Sequence, residues 1–239
     1  MNEHTLSMRL EHVAAQVPAG ARLADIGSDH GYLPVALVRR GAILAAVAGE
    51  VALAPFNAAM RTVRENDLDA QITVRRADGL AAIQASDGIT AVTVCGMGGE
   101  TIRDILERGK AHLSGRERLI LQPNGGEQPL RQWLMHNQYR ILYEAVLREH
   151  RFDYEIIVAE RGEPLSYTAQ ELYFGPLLLQ ARSQAFLLKW QHRLRLKQQT
   201  LNQFAQMARP VPEEKVHALT RQVQWISALL ARRECDPAH

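Results

Sequence analysis

Short apolar runs alternate with segments of helical period through the first two thirds of the chain. Runs near residues 22–26, 42–48, 71–75, 89–95 and 117–122 predict strands. Between them, stretches at 31–40, 52–66, 99–110 and 127–137 predict helices. Runs such as ILAAVAG and ITAVTVCG do not alternate with polar residues, as expected of strands that helices cover on both faces. The repeat therefore predicts an α/β domain around a parallel sheet, with ligands at the carboxyl ends of its strands. Segments 140–149 and 152–160, rich in Tyr, Ile and Val, lie too close for a crossover helix and predict an antiparallel hairpin that finishes the sheet. A helix from Thr5 to Val17, broken by Pro18 and Gly20, precedes the first strand.

Beyond Gly162 and Pro164 the pattern changes to long helical segments. Phe186, Trp190, Leu194, Leu201 and Phe204 form one apolar stripe, and Val216, Leu219, Val223, Ile226 and Leu230 form the next. Pro210 and Pro212 punctuate the two, which predicts an antiparallel, coiled-coil-like helical pair. The expected division is residues 1–162 for the α/β body and 163–239 for the helical domain, with Cys235 to His239 frayed.

Composition narrows the class. With 239 residues, 46% hydrophobic and 23% charged, the chain is expected to be globular. No window approaches eighteen apolar residues, and the opening helix is amphipathic, so neither a membrane span nor secretion is expected. The two cysteines, Cys95 and Cys235, cannot form a disulfide framework or a four-cysteine zinc site, which suits the reducing cytoplasm. The net charge of +2 conceals an uneven distribution: residues 1–160 hold 17 Lys plus Arg against 20 Asp plus Glu, and residues 161–239 hold 11 against 6. No acid occurs between Tyr173 and Arg209. This basic segment suits a polyanion, or else a solvated helix face balancing an acidic neighbour.

The chemistry concentrates where strands end. In LADIGSDHGYLPVAL, from Leu23 to Leu37, an apolar strand ends at Asp25 and a turn using Gly27 and Gly31 leads into a helix, whose first N–H groups can meet a ligand. The third glycine of a dinucleotide fingerprint and the Gly-Lys-Ser/Thr of a phosphate loop are both missing, which disfavours a dehydrogenase, a kinase or an ATPase. Glu50 closes the second strand 25 residues after Asp25, where an acid can accept from both ribose hydroxyls of an adenosine-containing cofactor. Asp78 and Gly79 follow the third strand, Asp78 within reach of an adenine amino group, and CGMGG, from Cys95 to Gly99, closes the fourth. His30 with Asp25 and Asp29 makes no convincing metal set, and Cys95, closing an apolar strand, reads as inert.

These segments, with RLEHVA near Arg9, AGEV, ADGL, CGMGGETIRDIL, LILQPN and YEIIVAE, resemble the bacterial TrmK family of tRNA adenine-N1 methyltransferases, which modify adenine 22. The resemblance implies a Rossmann-like class I S-adenosylmethionine-dependent fold with a C-terminal helical domain. It implies S-adenosyl-L-methionine held by Asp25, Gly27, His30, Glu50, Asp78, Gly79, Gly96, Met97 and Gly98, and no metal. Asp29 is the expected catalytic contact to the target adenine, with Arg9, Tyr32 and Asn124 in the substrate pocket. Lys189, Arg193 and Lys197 would grip tRNA phosphates. The oligomeric state is left open, a monomer included. Rival readings are a methyltransferase of this fold acting on another substrate and a noncatalytic RNA-binding or assembly protein.

Overall fold

The computed structural model describes residues 5–163, 165–207 and 211–231. Pro164, Arg209, Pro210 and the end from Cys235 to His239, all used in the sequence reading, lie outside them. The strands are β1 (Ala21–Ile26), β2 (Ile43–Glu50), β3 (Ile72–Arg76), β4 (Ala91–Met97), β5 (Arg118–Pro123), β6 (Tyr139–Glu149) and β7 (Phe152–Arg161). They form one sheet in the order β3-β2-β1-β4-β5-β7-β6. The first five strands run parallel, and the closing hairpin pairs antiparallel to β5 through β7.

Helices α1 (Met8–Ala14), α2 (Tyr32–Arg39), α3 (Leu53–Glu65), α4 (Gly99–Gly109) and α5 (Glu127–His136) complete the α/β repeat. Helix α1 begins three residues later than its period predicts because Ser7 caps it, its hydroxyl accepting the Leu10 N–H at 3.2 Å. Both sheet faces are buried, which explains the unalternating strand sequences. Leu23 and Ile120 pack with Val35 and Leu37 on one side, while Ala24, Ile26, Leu119 and Leu121 pack with Ile102 and Leu106 on the other.

Two short helices follow the sheet, α6 (Ala169–Phe174) and α7 (Pro176–Ala181), then two long ones, α8 (Gln184–Gln206) and α9 (Glu213–Ala231). The chain divides into compact units Met1–Gln180 and Ala181–His239, so the division falls later than the expected boundary after Gly162. Residues 165–180 join the first unit because they are tied to it: the Leu177 N–H donates to Glu144 of β6 at 2.9 Å, and Thr168 caps α6. In the second unit α8 and α9 pair antiparallel, with Arg182 donating to the Leu229 carbonyl at 3.0 Å and Lys197 to the Gln222 side chain at 2.6 Å.

One ion pair braces the sheet edge. Arg75 of β3 donates to Asp87 Oδ1 at 2.7 Å, and the Gln84 N–H donates to Oδ2 at 2.7 Å. The Arg75 hydrogen bond holds the Asp87 carboxyl below its ordinary 3.8, against the opposing effect of burial. The stability this contributes is therefore fully present above 3.8 and lost as the pH falls through the lowered value. Asp87→Asn should cost about 2 kcal/mol in urea unfolding at neutral pH. The deficit relative to wild type should shrink on acidification below that range, and a deficit that grew instead would refute the assignment.

Candidate active site

Strand β1 lies between β2 and β4, so the chain leaves β1 toward one side of the sheet and returns on the other. This reversal opens a crevice beyond the carboxyl ends of the strands. A cleft of about 360 Å³ lies there. Its wall includes Asp25 near the end of β1, Gly27 and Asp29 just after it, Glu50 at the end of β2, and Gly96 and Met97 at the end of β4.

Asp25 is buried, and both of its oxygens accept hydroxyl hydrogen bonds, Oδ2 from Ser28 at 2.6 Å and Oδ1 from Thr93 at 2.7 Å. Burial pushes its carboxyl above the ordinary range, opposed by those two hydrogen bonds and reinforced by Glu50. Asp25 thus ties the turn to the neighbouring strand. The turn itself passes through Gly27, at φ +71°, whose N–H donates to the Gly49 carbonyl at 2.9 Å. A Cβ on Gly27 would lie 2.0 Å from the Met97 methyl carbon. Gly27→Ala should cost about 1–2 kcal/mol for the left-handed backbone alone. Adding Met97→Ala should relieve the clash but not the backbone strain, so a double variant as stable as wild type by thermal unfolding would contradict this account.

Glu50 is only 7% exposed, yet its carboxylate accepts the backbone N–H of Asp29 and lines the cleft. Asp29 has φ +54°, and its side chain remains 67% exposed. His30 sits 3.7 Å from the Asp29 carboxylate and stacks on Tyr32, ring centroids 5.1 Å apart. All three line the same cleft. Cys95 lines it as well, but burial, aided by Asp25, pushes its thiol up, which leaves it a poor nucleophile. Among the described residues no cluster of His, Cys, Asp and Glu could hold a metal ion.

The β4 end is fixed from behind. The buried Gln122 accepts from the Gly96 N–H at 3.0 Å and from Arg9, and its amide donates to the Pro123 carbonyl at 2.9 Å and Asn124 Oδ1 at 3.1 Å. Asn124 returns a hydrogen bond to the Gly96 carbonyl at 2.8 Å. Gly98 caps α4, and a Cβ on Gly99 would lie 2.0 Å from the Gly126 carbonyl oxygen, so this loop needs a bare backbone.

A family model described as TrmK, tRNA (adenine(22)-N(1))-methyltransferase, matches residues 23–227. The chain belongs to the TrmK family. Among its relatives is the tRNA (adenine(22)-N(1))-methyltransferase of Bacillus subtilis, 42% identical over 214 residues, which are 87% of this chain and 89% of the relative. The crystal structure of B. subtilis TrmK superposes with a TM-score of 0.88 at 37% identity, covering 95% of this chain and 99% of that one. Streptococcus pneumoniae Sp1610 in complex with S-adenosyl-L-methionine superposes at 0.86 with 40% identity, over 95% of this chain and all of the other. The Rossmann-like body with a helical extension is therefore the architecture of this TrmK-family chain.

Not every expected site residue joins the cleft. Asp25, Gly27, Asp29, His30, Tyr32, Glu50, Gly96, Met97 and Arg9 line it. Asp78 and Gly79 instead line a neighbouring hollow of about 220 Å³, where Asp78 pairs with Arg108 at 3.2 Å. Asn124 and Gly98 lie outside the cleft lining, Asn124 acting on the Gly96 loop and Gly98 capping α4. The expected phosphate grip needs correction at Lys189, which is 2% exposed and lies 5.4 Å from the Trp190 ring centroid, so its ammonium is not offered to solvent. Lys197 is half-buried against Gln222, whereas Arg193 is exposed. Ser28, Thr93 and Gln122 were missed by sequence reasoning. A lone amide or hydroxyl inside an apolar strand, as in LILQP and AVTVC, is the signal that could have found the latter two.

Proposed function

We propose that this chain transfers the methyl group of S-adenosyl-L-methionine to N1 of adenine 22 in tRNA, in the cytoplasm. The observation that carries the reading is the single turn on which the N–H of Asp29 engages the buried Glu50 while the Asp29 carboxylate stays exposed at the cleft mouth. One acid faces inward toward a cofactor and the next outward toward a target. Among the described residues no helix is long and apolar enough to cross a membrane.

The residues present fit the cofactor. A cleft with three carboxylates on its wall suits a ligand that carries a sulfonium and an ammonium. Glu50 offers acceptor oxygens to vicinal ribose hydroxyls. Gly27 and Gly96, which line the cleft without side chains, expose backbone to the ligand. Asp25 organises this turn, and His30 stands at its rim. Asp78 could receive the adenine amino group once parted from Arg108, an exposed pair worth little. When bound, the cofactor supplies an electrophilic methyl.

The chain's own task is alignment and charge. Adenine N1 already carries a lone pair, so no covalent enzyme intermediate is required. The Asp29 carboxylate would accept from the adenine amino group and face the positive charge that develops on the ring. N1 lies on the pairing edge, so the base must leave its pairs, and Tyr32, stacked on His30, is placed to receive its face. Arg9 and Asn124 bound the β4 side, and Arg193 in the second unit would meet phosphate. The test is labelled-methyl transfer to unmodified tRNA with the modified position mapped. Label at N1 of adenine 22, absent from a transcript in which that base is guanine, is expected; label elsewhere or none overturns the reading.

A further inference from the structure

The geometry points to a second RNA contact, on the β6–β7 hairpin, for unpaired nucleotides of the tRNA beside the target adenine. The inference rests on the function proposed above. Residues of β7 alternate, and Tyr154, Ile156 and Val158 share the face packed toward α1. Phe152 continues that row but is 53% exposed. A single exposed ring is ordinary on a protein surface, and it gains meaning only from its neighbours.

Those neighbours specify what would cover it. The Arg151 guanidinium lies 5.2 Å from the Phe152 ring centroid. Phe152 and Tyr154 have centroids 6.2 Å apart, and Arg9 lies 5.4 Å from the Tyr154 centroid. Arg9 then bonds Gln122 and lines the cleft. Cation, ring, ring and cation thus form an unbroken row from the hairpin tip to the proposed methyl-transfer site. Alternating guanidinium and aromatic surfaces suit bases and phosphates, since every base has a face to stack and every linkage a charge. Of the acids at the tip, Asp153 faces Arg148 at 3.6 Å without a hydrogen bond to its Oδ1 among the described residues, and Glu149 accepts the Met8 N–H at 2.7 Å. They do not oppose Arg151 across the exposed ring.

The test uses the full chain, an unmodified tRNA transcript, and three readouts: tRNA affinity against salt, methyl-transfer kinetics, and cofactor affinity by calorimetry. Phe152→Ala should weaken tRNA binding about tenfold, and Phe152→Trp should restore it. Arg151→Ala should lower the slope of log affinity against log salt by about 0.7–0.9, one phosphate contact. Cofactor affinity should stay at the wild-type value in all three. Unchanged tRNA affinity and salt slope in a wild-type background that methylates tRNA would overturn the hairpin contact alone. An equal loss of cofactor affinity would also overturn it, because the tip would then be acting through the fold. A wild-type chain that neither binds nor methylates tRNA would overturn the underlying function instead.

Discussion

Asp29→Asn is expected to slow methyl transfer to tRNA about 100-fold while leaving cofactor affinity close to that of the wild type. The substitution is chosen for its backbone. Asp29 sits at φ +54°, a left-handed conformation that asparagine tolerates as readily as aspartate, so the turn and its N–H bond to Glu50 should survive. What changes is the charge at the cleft mouth. An amide can still accept from the adenine amino group, but it offers no negative charge to a base that becomes cationic as the methyl arrives. The loss should therefore fall on kcat, with the KM for tRNA little altered. Glu50→Gln provides the contrast, since it alters the inward acid and should weaken cofactor binding first. Unchanged kcat in Asp29→Asn would remove Asp29 from the chemistry and leave it a turn residue.

The distinction between those two acids shows what the sequence could and could not say. Spacing was enough to put Asp25, Asp29 and Glu50 at neighbouring strand ends, because in a parallel sheet every strand delivers its last residue to the same edge. The same logic anticipated Gly96 and Met97. The family resemblance, not spacing, gave Asp25 and Asp29 different roles, and neither showed that both Asp25 oxygens are engaged by hydroxyls while the Asp29 carboxylate is exposed, since Thr93 approaches from a strand 68 positions away. The place of Asp78 in a neighbouring hollow was hidden for a related reason. Its partner Arg108 comes from α4, and no local pattern announces that pair. The charge count misled at Lys189: a basic segment reads as a solvated face, yet the period that buries Phe186 and Trp190 also buries Lys189. Residues 165–180 were assigned to the helical region on helical period alone, whereas their attachment is set by Glu144, a polar residue on β6.

Arg131→Met should destabilise the first unit by about 3–5 kcal/mol, the largest stability effect we expect. Arg131, on α5, is fully buried between two buried carboxylates, with Nε donating to Glu144 Oε1 at 2.7 Å and Nη2 to Glu155. Its third nitrogen reaches the Leu172 carbonyl at 3.4 Å, and Glu144 Oε2 accepts the N–H groups of Leu177 and Leu178 at 2.9 and 3.4 Å. One guanidinium therefore joins α5, the hairpin and the short helices that follow it. Burial already pushes the Glu144 carboxyl up, and Arg131 is the charge that opposes it. Removing that charge should raise Glu144 further. A carboxyl raised in the folded state contributes stability below its unfolded value and loses it as the pH rises through the folded one, so the variant's deficit in urea unfolding should be smallest in mild acid and largest at neutral pH. Adding Glu144→Gln and Glu155→Gln, which removes the uncompensated charge, should recover about half of the loss and flatten its pH dependence. A pH-independent deficit in the single variant would mean that Arg131 acts by filling space rather than by neutralising two acids, and the triple variant would then be no more stable than Arg131→Met.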